Sequence, residues 1–405
     1  MIIKQCKNCR AAVEAVFSLG RLPLVNSFLT KKQIVGEKKF DLTVGFCRQC
    51  YLVQLTKTVP PADLFRNYIY FSSTSSSLLK HCEEISSKLV RRLGLTAKSL
   101  VLEIASNDGA LLRYFQKLGI PVLGVDPAKN IAKVANQKGV PTIPEFFNCR
   151  LAAKLKKERK ISPDLVFGAN VLAHVPGIND FLKGVKTILA VKGTAVFEFP
   201  YLKGLMENKF DTIYHEHVFY YSLLALRNLF QRAGLEIYDV ETTLMQGGSL
   251  MIFASHPGQF SIRANVQKMA KRERRDGFDK IATYQKMGKN VGQLKKNLVK
   301  LLGELKAEGK TVAAYGAAAK GNILLNYFGV GQYLDFIADK AEAKQGLYAP
   351  GTHLLVHSPA KVYEQKPDYL LILPWNIADE IVEQYRDYQK QGGKFIVPVP
   401  AVRVI

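Results

Sequence analysis

The sequence predicts two α/β domains built on parallel sheets, preceded by a small metal-held module, in a chain of 405 residues. Three observations carry this expectation. From about residue 96, short runs rich in Val, Ile and Phe alternate with helical segments, as strands covered on both faces do. The same alternation starts again near residue 310, after a long polar stretch. Ahead of both, four cysteines form two C-x2-C pairs. At about 150 residues per domain, the length fits two to three domains.

Composition narrows the class. A chain 48% hydrophobic and 22% charged is ordinary for a globular protein and excludes a mainly disordered, collagenous or coiled-coil chain. No apolar run approaches the ~18–20 residues of a membrane span. The opening MIIKQCKNCR contains no apolar export segment, which predicts a cytoplasmic protein. An excess of 57 Lys and Arg over 34 Asp and Glu, +23 in all, points to anionic partners: nucleic acid, a membrane surface or phosphorylated metabolites.

Residues 1–60 hold the pairs Cys6–Cys9 and Cys47–Cys50. In a reducing compartment such pairs are metal sites more often than disulfides. Two thiolate knuckles offer a tetrahedral four-sulfur site for a structural Zn2+, since no position is left open for catalysis. Cys82 and Cys149 read as core residues. Residues 61–95 follow, first an aromatic and hydroxyl-rich segment, then an amphipathic helix from about Ser76 whose serines suit its cap. Residues 96–260 form the first α/β domain, with strands at SLVLEIA, PVLGVD, PDLVFGAN, TAVFEFP and SLMIFAS. Residues 261–309 read as a basic helical linker. Residues 310–405 form a second, Rossmann-like domain, with strands at TVAAYG, YLDFIAD, YLLILPW and KFIVPVP.

The first strand–turn–helix, VLEIASNDGALLRYF, sets a turn at the carboxyl edge of the sheet, where doubly wound folds bind nucleotides. Asp126 closes the next strand and is placed to accept ribose hydroxyls. The turn lacks G-x-G-x-x-G and carries Asp108, so it would repel a pyrophosphate. With Glu103 it suits a cationic ligand such as the sulfonium of S-adenosylmethionine. A plain helix cap with a surface Asp is the competing reading.

After the strand VFEFP comes DTIYHEHVFYYS. In an extended chain His215 and His217 would share one face, with Tyr214 and Glu216 on the other. A structural cluster, a metal site and proton transfer compete; an imidazole oriented by a carboxylate is a common general base and favours the last. His174, in NVLAHVP, could be a core histidine, but its position just past a strand end favours the same edge. In the C-terminal domain, Gly316 and Gly321 of AYGAAAKGN would let backbone amides approach a phosphate, with Lys320 in the turn to pair with a diphosphate. A tight turn with a solvated Lys remains open there. For Asp339 a ribose contact and a helix cap stay open, as do core and stacking roles for Trp375.

Taken together, the C-x2-C pairs, NYIYFSSTSSS, EIASNDGALL, GVDPA, NVLAHVP, FEFPYL, DTIYHEHVFYYSL, GGSL, AAYGAAAKGNILLNYFG, PGTH and LILPWN resemble, in order, the sugar C-methyltransferases that act on nucleotide-linked keto-deoxysugars. The resemblance spans nearly the whole chain. It implies a zinc module, a central class I S-adenosylmethionine methyltransferase domain and a C-terminal Rossmann-like domain that helps hold the nucleotide-sugar. It implies His217 as the base, with Tyr214, Glu216 and His174 lining the site and Tyr68 and Tyr70 closing over the ligands. The expected cofactor contacts are Glu103, Ala105, Ser106, Asn107, Asp108, Gly109, Asp126, Pro127 and Asn170; those to the substrate include Lys320 and Asn322. The expected chemistry is methylation at C-3 beside a 4-ketone, through an enediolate, on a dTDP-type sugar. One departure is Met251, where the family pattern has Arg after Leu250. A zinc-containing RNA methyltransferase and a non-catalytic nucleotide-binding protein are the alternatives, but no RNA-binding signature or interleaved basic–aromatic stripe supports the former.

Overall fold

The computed structural model describes residues 5–61, 64, 71–74, 76–243 and 245–405. Tyr68 and Tyr70 lie outside the described residues.

The N-terminal module is a meander of β1 (Glu14–Pro23), β2 (Lys39–Phe46) and β3 (Val53–Leu55). The helix α1 (Ser76–Leu93) leads into the middle domain, whose strands are β4 (Val101–Ile104), β5 (Val122–Val125), β6 (Thr142–Ile143), β7 (Leu165–Ala169), β8 (Thr194–Pro200), β10 (Glu236–Thr243) and β11 (Ser249–Ser255). They form one seven-stranded sheet in the order β10-β11-β8-β7-β4-β5-β6. It is parallel apart from β11, which runs antiparallel to both β8 and β10. The helices α2 (Leu112–Lys117), α3 (Lys129–Gln137), α4 (Cys149–Glu158), α5 (Ile178–Ile188) and α6 (Leu223–Ala233) cover it. The fully buried runs of β4 and β8 explain why the sequence reads as continuous apolar strands rather than alternating ones.

The short strand β9 (Phe219–Tyr220), which follows the Tyr-His-Glu-His segment directly, does not join this sheet. It pairs with β3 and becomes the fourth strand of the N-terminal module. A module of some 60 residues is too small to build much core alone, and this one shares its core: Leu42, Val44, Phe46, Leu52, Val53 and Leu55 are buried in one cluster with the middle domain.

The polar stretch forms α7 (Ala264–Arg275) and α8 (Ile281–Ala307). It is no solvated spacer. Tyr284, Met287, Val291, Leu294, Leu298, Leu302 and Leu305 repeat at three- and four-residue steps and form one buried stripe, with the basic residues outside it. That stripe packs on β1, and Tyr284 lies against Phe46 with ring centroids 4.8 Å apart. Buried Glu273 caps α6 by accepting the amides of Leu223 (2.7 Å) and Leu224 (2.8 Å).

The C-terminal sheet has β12 (Val312–Tyr315), β13 (Ile337–Ala338), β14 (Val356–His357), β15 (Tyr369–Ile372), β16 (Lys394–Val397) and β17 (Arg403–Val404), ordered β14-β13-β12-β15-β16-β17. All its pairings are parallel except β16 with β17. Its first helix is α9 (Ala319–Phe328). No described helix is long and apolar enough to cross a membrane.

Candidate functional site

The metal ligands come first along the chain. The sulfurs of Cys6, Cys9, Cys47 and Cys50 all lie within 4.8 Å of one another, with Cys6–Cys50 and Cys9–Cys47 each 3.5 Å apart. That donor set is a four-cysteine zinc site, and because protein sulfur fills every position the ion's work is structural.

The expected cofactor residues gather at the carboxyl ends of the adjacent strands β7, β4 and β5. The turn after β4 curls tightly, with positive φ at Ala105 (59°), Asn107 (49°) and Gly109 (77°). A side chain at Gly109 would run into Val140, 2.8 Å away, so this position is closed to other residues on two counts. Asp126 shapes the turn: one carboxylate oxygen accepts the amide of Asn107 and the other that of Ala128, both at 2.9 Å. Each oxygen keeps a second lone pair for a ligand hydroxyl. Glu103 is buried beneath, and burial, reinforced by Asp126 and Asp108, pushes its carboxyl well above the usual range. Glu103 Oε2 and Ser106 Oγ are buried without a partner among the described residues, as expected of a pocket whose ligand supplies the missing bonds. Pro127 is half-buried beside Asp126, and Asn170 adopts a left-handed conformation (φ 54°) at the end of β7.

Asp108 does not face a cofactor as a free charge. It accepts from Lys138 Nζ (3.0 Å) and from the Ser73 hydroxyl and amide, while Asn107 Oδ1 accepts the Ser72 amide at 2.9 Å. Burial opposes its charge, but Ser73 and Lys138 outweigh burial and hold its carboxyl below the ordinary value. The residues leading into α1 are therefore latched onto the turn. On α1 itself, His81 meets Glu198 of β8 at 2.7 Å, and Glu198 also accepts the Thr243 hydroxyl at 2.7 Å. Nothing in the sequence pattern marked these partners. Met251, the departure noted above, is fully buried and stands directly across from Glu198, so its side chain supplies no contact for an anion.

The Tyr-His-Glu-His segment is not extended. The His217 amide donates to the Tyr214 carbonyl (2.9 Å), closing a turn that lays the two rings together, centroids 3.9 Å apart. The segment is thus a loop, in which the face-sharing of an extended chain need not hold. His215 turns away and donates from Nε2 to the Phe40 carbonyl (3.2 Å). Nor does Glu216 orient His217. It accepts from Asn26 of the N-terminal module (2.6 Å), and burial raises its carboxyl to about 6. The orienting group is a backbone carbonyl. His217 Nδ1 lies 2.8 Å from the Thr212 oxygen. A carbonyl can only accept, so Nδ1 carries the proton and Nε2 keeps a lone pair. Tyr214 donates to that lone pair at 2.7 Å. Burial first, then His174 and Lys320, hold His217 well below its ordinary value, so the ring is neutral. His174 packs edge-on against it, centroids 4.8 Å apart, and is itself lowered by burial to about 4. Thr212, His217, Tyr220, Tyr201 and Ala173 line a cavity of about 20 Å³.

In the C-terminal domain the sequence expectations need correction. Gly316 (φ 90°) and Gly321 are small because a side chain at the first would strike Pro374 and at the second Leu373 (2.7 Å), not to admit a phosphate. Asn322 is fully buried and donates to the Val25 carbonyl (2.8 Å), joining this domain to the N-terminal module rather than facing a cleft. Trp375 is buried, and its Nε1 donates to Asp211 at 2.5 Å. Lys320 lies over the Trp375 ring, 5.2 Å from its centroid. Asp339 caps backbone, accepting from Ala317 (2.6 Å) and Ala341 (2.7 Å).

Comparison with known proteins covers the same three regions. Residues 6–65 match a putative zinc binding domain, 78–240 a methyltransferase domain, and 244–400 a C-methyltransferase C-terminal domain. The chain is 39% identical over 394 residues to C-methyltransferase NovU of Streptomyces niveus, spanning 96% of this chain and 94% of that one. Solved structures that are similar include an S-adenosylmethionine-dependent methyltransferase from Clostridium acetobutylicum (10% identity, 44% of this chain and 92% of that one, TM-score 0.36). Another is the magnesium protoporphyrin IX methyltransferase of Synechocystis with bound SAH (16% identity, 47% and 89%, TM-score 0.35).

Proposed function

Since the chain belongs to the family of S-adenosylmethionine-dependent C-methyltransferases, with a zinc-binding module in front of a class I methyltransferase domain, we propose that it methylates C-3 of a nucleotide-linked 4-keto-deoxysugar, with His217 as the base. The observation that carries this reading is the tautomer of His217: Nδ1–H is committed to the Thr212 carbonyl, and the neutral ring keeps its lone pair on Nε2, in a cavity that Pro200 at the end of β8 also lines.

Carbon is a poor nucleophile unless a proton is first removed, and a sugar C–H is acidic enough only beside a ketone. The substrate is therefore a keto sugar. S-adenosylmethionine, when bound, supplies an electrophilic methyl on a sulfonium; Glu103, Ala105–Gly109, Asp126, Pro127 and Asn170 would hold it. Tyr214 occupies the His217 lone pair in the absence of substrate. On binding, its hydroxyl turns to the ketone oxygen and stabilises the charge that develops there, as a preorganised donor does. The vacated Nε2 then takes the proton from the adjacent carbon. Glu216 and His174 shape this pocket, and the Lys320 ammonium lies near enough to act on the His217 charge. Holding the carbanion and the methyl at about 3–3.5 Å accounts for a site shared between domains.

The test is mass spectrometry of product from methyl-labelled S-adenosylmethionine with a panel of dTDP-linked 4-keto sugars. Deuterium exchange at the carbon beside the ketone should be catalysed too, which an RNA methyltransferase or a binding protein would not do. His217→Gln should lose ~10²–10⁴-fold in turnover with cofactor affinity nearly unchanged. Turnover near wild type in that variant would remove His217 as the base.

A further inference from the structure

The base is mounted on the C-terminal domain. His217 belongs to the middle domain in sequence, yet the carbonyl that sets its tautomer belongs to a single helical turn, Phe210–Thr212, seated in the other domain. Phe210 is fully buried and stacks on Phe328 of α9, centroids 5.0 Å apart and planes 20° apart, with Tyr327 edge-on at 5.8 Å. Asp211 is fully buried as well. One of its oxygens accepts the indole N–H of Trp375 at 2.5 Å, and the other accepts nothing among the described residues. The Lys320 ammonium is set over the same indole. Thr212 comes next, and its carbonyl takes the His217 proton.

Burial disfavours the Asp211 carboxylate, and the Lys320 charge and the indole N–H offset that cost. A hydrophobic residue at 211 would seal the seat beside Phe210, but it would leave the buried Lys320 ammonium without the carboxylate that faces it. Beyond that charge the carboxylate adds direction: an indole N–H fixes it along one line, and with it the peptide that ends at the Thr212 carbonyl. We infer that Asp211 and Trp375 are positioning residues, a clamp by which the C-terminal domain sets the orientation and tautomer of the His217 imidazole. The inference rests on His217 being the base, and its test is chosen to stand apart from that reading.

The full-length zinc-loaded protein is labelled with 15N-histidine, and the His217 signals are assigned by their loss in His217→Gln. In the wild type Nδ1 should appear protonated and Nε2 bare. Trp375→Phe keeps the ring and removes the N–H; it should scramble the two tautomers and lower kcat by ~10-fold, with KM for S-adenosylmethionine unchanged. Asp211→Ala should do the same. Asp211→Asn retains an acceptor for the indole and should restore the tautomer. Should Asp211→Ala fail to fold, Trp375→Phe and Asp211→Asn carry the comparison. Wild-type His217 signals in Trp375→Phe would overturn the clamp, as would Asp211→Asn behaving like Trp375→Phe. Wild-type turnover in His217→Gln would instead remove the base reading and leave the spectra to judge the clamp alone.

Discussion

The two parallel sheets close the turn after their first strand with the same device and use it for different ends. In the middle domain Asp126 accepts one amide from that turn, Asn107, and one from two residues beyond itself, Ala128. In the C-terminal domain Asp339 does likewise with Ala317 and Ala341. Both acids sit at the end of the second strand, where a carboxylate satisfies amides that no ladder reaches. The turns then diverge. The first, Ala105–Gly109, carries Asp108 and leaves buried polar atoms without protein partners. The second is pressed shut by Pro374 and carries Lys320 against Trp375. An identical backbone solution thus frames the proposed ligand cradle in one place and a docking surface in the other. What separates them is the side chains that fill the space above the turn.

This contrast can be broken or sharpened by experiment. The largest effect is expected from the acids themselves. Asp126→Ala removes two bonds to charged oxygen, each worth about 1.5–3 kcal/mol, from the turn proposed to hold the cofactor. S-adenosylmethionine affinity by calorimetry should fall ~100-fold or more, since about 1.4 kcal/mol is tenfold. Asp339→Ala should leave that affinity within about threefold. Equal losses would mean that the turns are not divided in this way.

Next is Gly316→Ala, which meets both a positive φ and the ring of Pro374. It should destabilise the protein by about 2–4 kcal/mol in denaturant titration. Because Pro374 adjoins Trp375, turnover should fall further than cofactor affinity does. An alanine tolerated there with no loss would show that Pro374 gives way and that the second turn is not pressed shut.

The smallest effect is on pH. A base whose protonation is disfavoured by burial stays active at mildly acid pH. The acid limb of kcat/KM should therefore lie below the ordinary histidine value of about 6.5. Lys320 lowers His217 further. Removing its cation with Lys320→Met makes imidazolium easier to form, so the limb should move up. Asp108→Asn, in the other turn, should leave the limb in place. A limb that moved down in Lys320→Met would contradict the arrangement.

Much of the fold was legible from local pattern. Buried parallel strands read as unbroken apolar runs, and β4, β5, β7, β8, β11, β12, β13, β15 and β16 all fall on such runs. The strands of the N-terminal module were not foreseen, because β1 is largely exposed and β3 spans only three residues. Nor was β9, a two-residue strand whose partner lies more than 160 positions earlier in sequence. The polar stretch was recognised as helical, but its packing was hidden by a basic outer face that outweighs the single stripe of Leu, Met and Val.

At the site, residue types were legible and partners were not. The sequence by itself determined the four thiols at knuckle spacing, the acid after the second strand of each sheet, and the clustering of Tyr214, His215, Glu216 and His217 in four consecutive positions. Those are local facts, set by neighbours along the chain. Only the tertiary structure decided that Glu216 answers to Asn26, that the Thr212 carbonyl orients His217, that Trp375 reaches Asp211, and that Gly316 is small for the sake of Pro374. Three of these four contacts join residues at least 50 positions apart, and the fourth depends on a turn that replaced an extended strand. A hydrogen bond is won by whichever acceptor stands at the right distance and angle, and distance between remote segments is a property of packing that no local pattern carries.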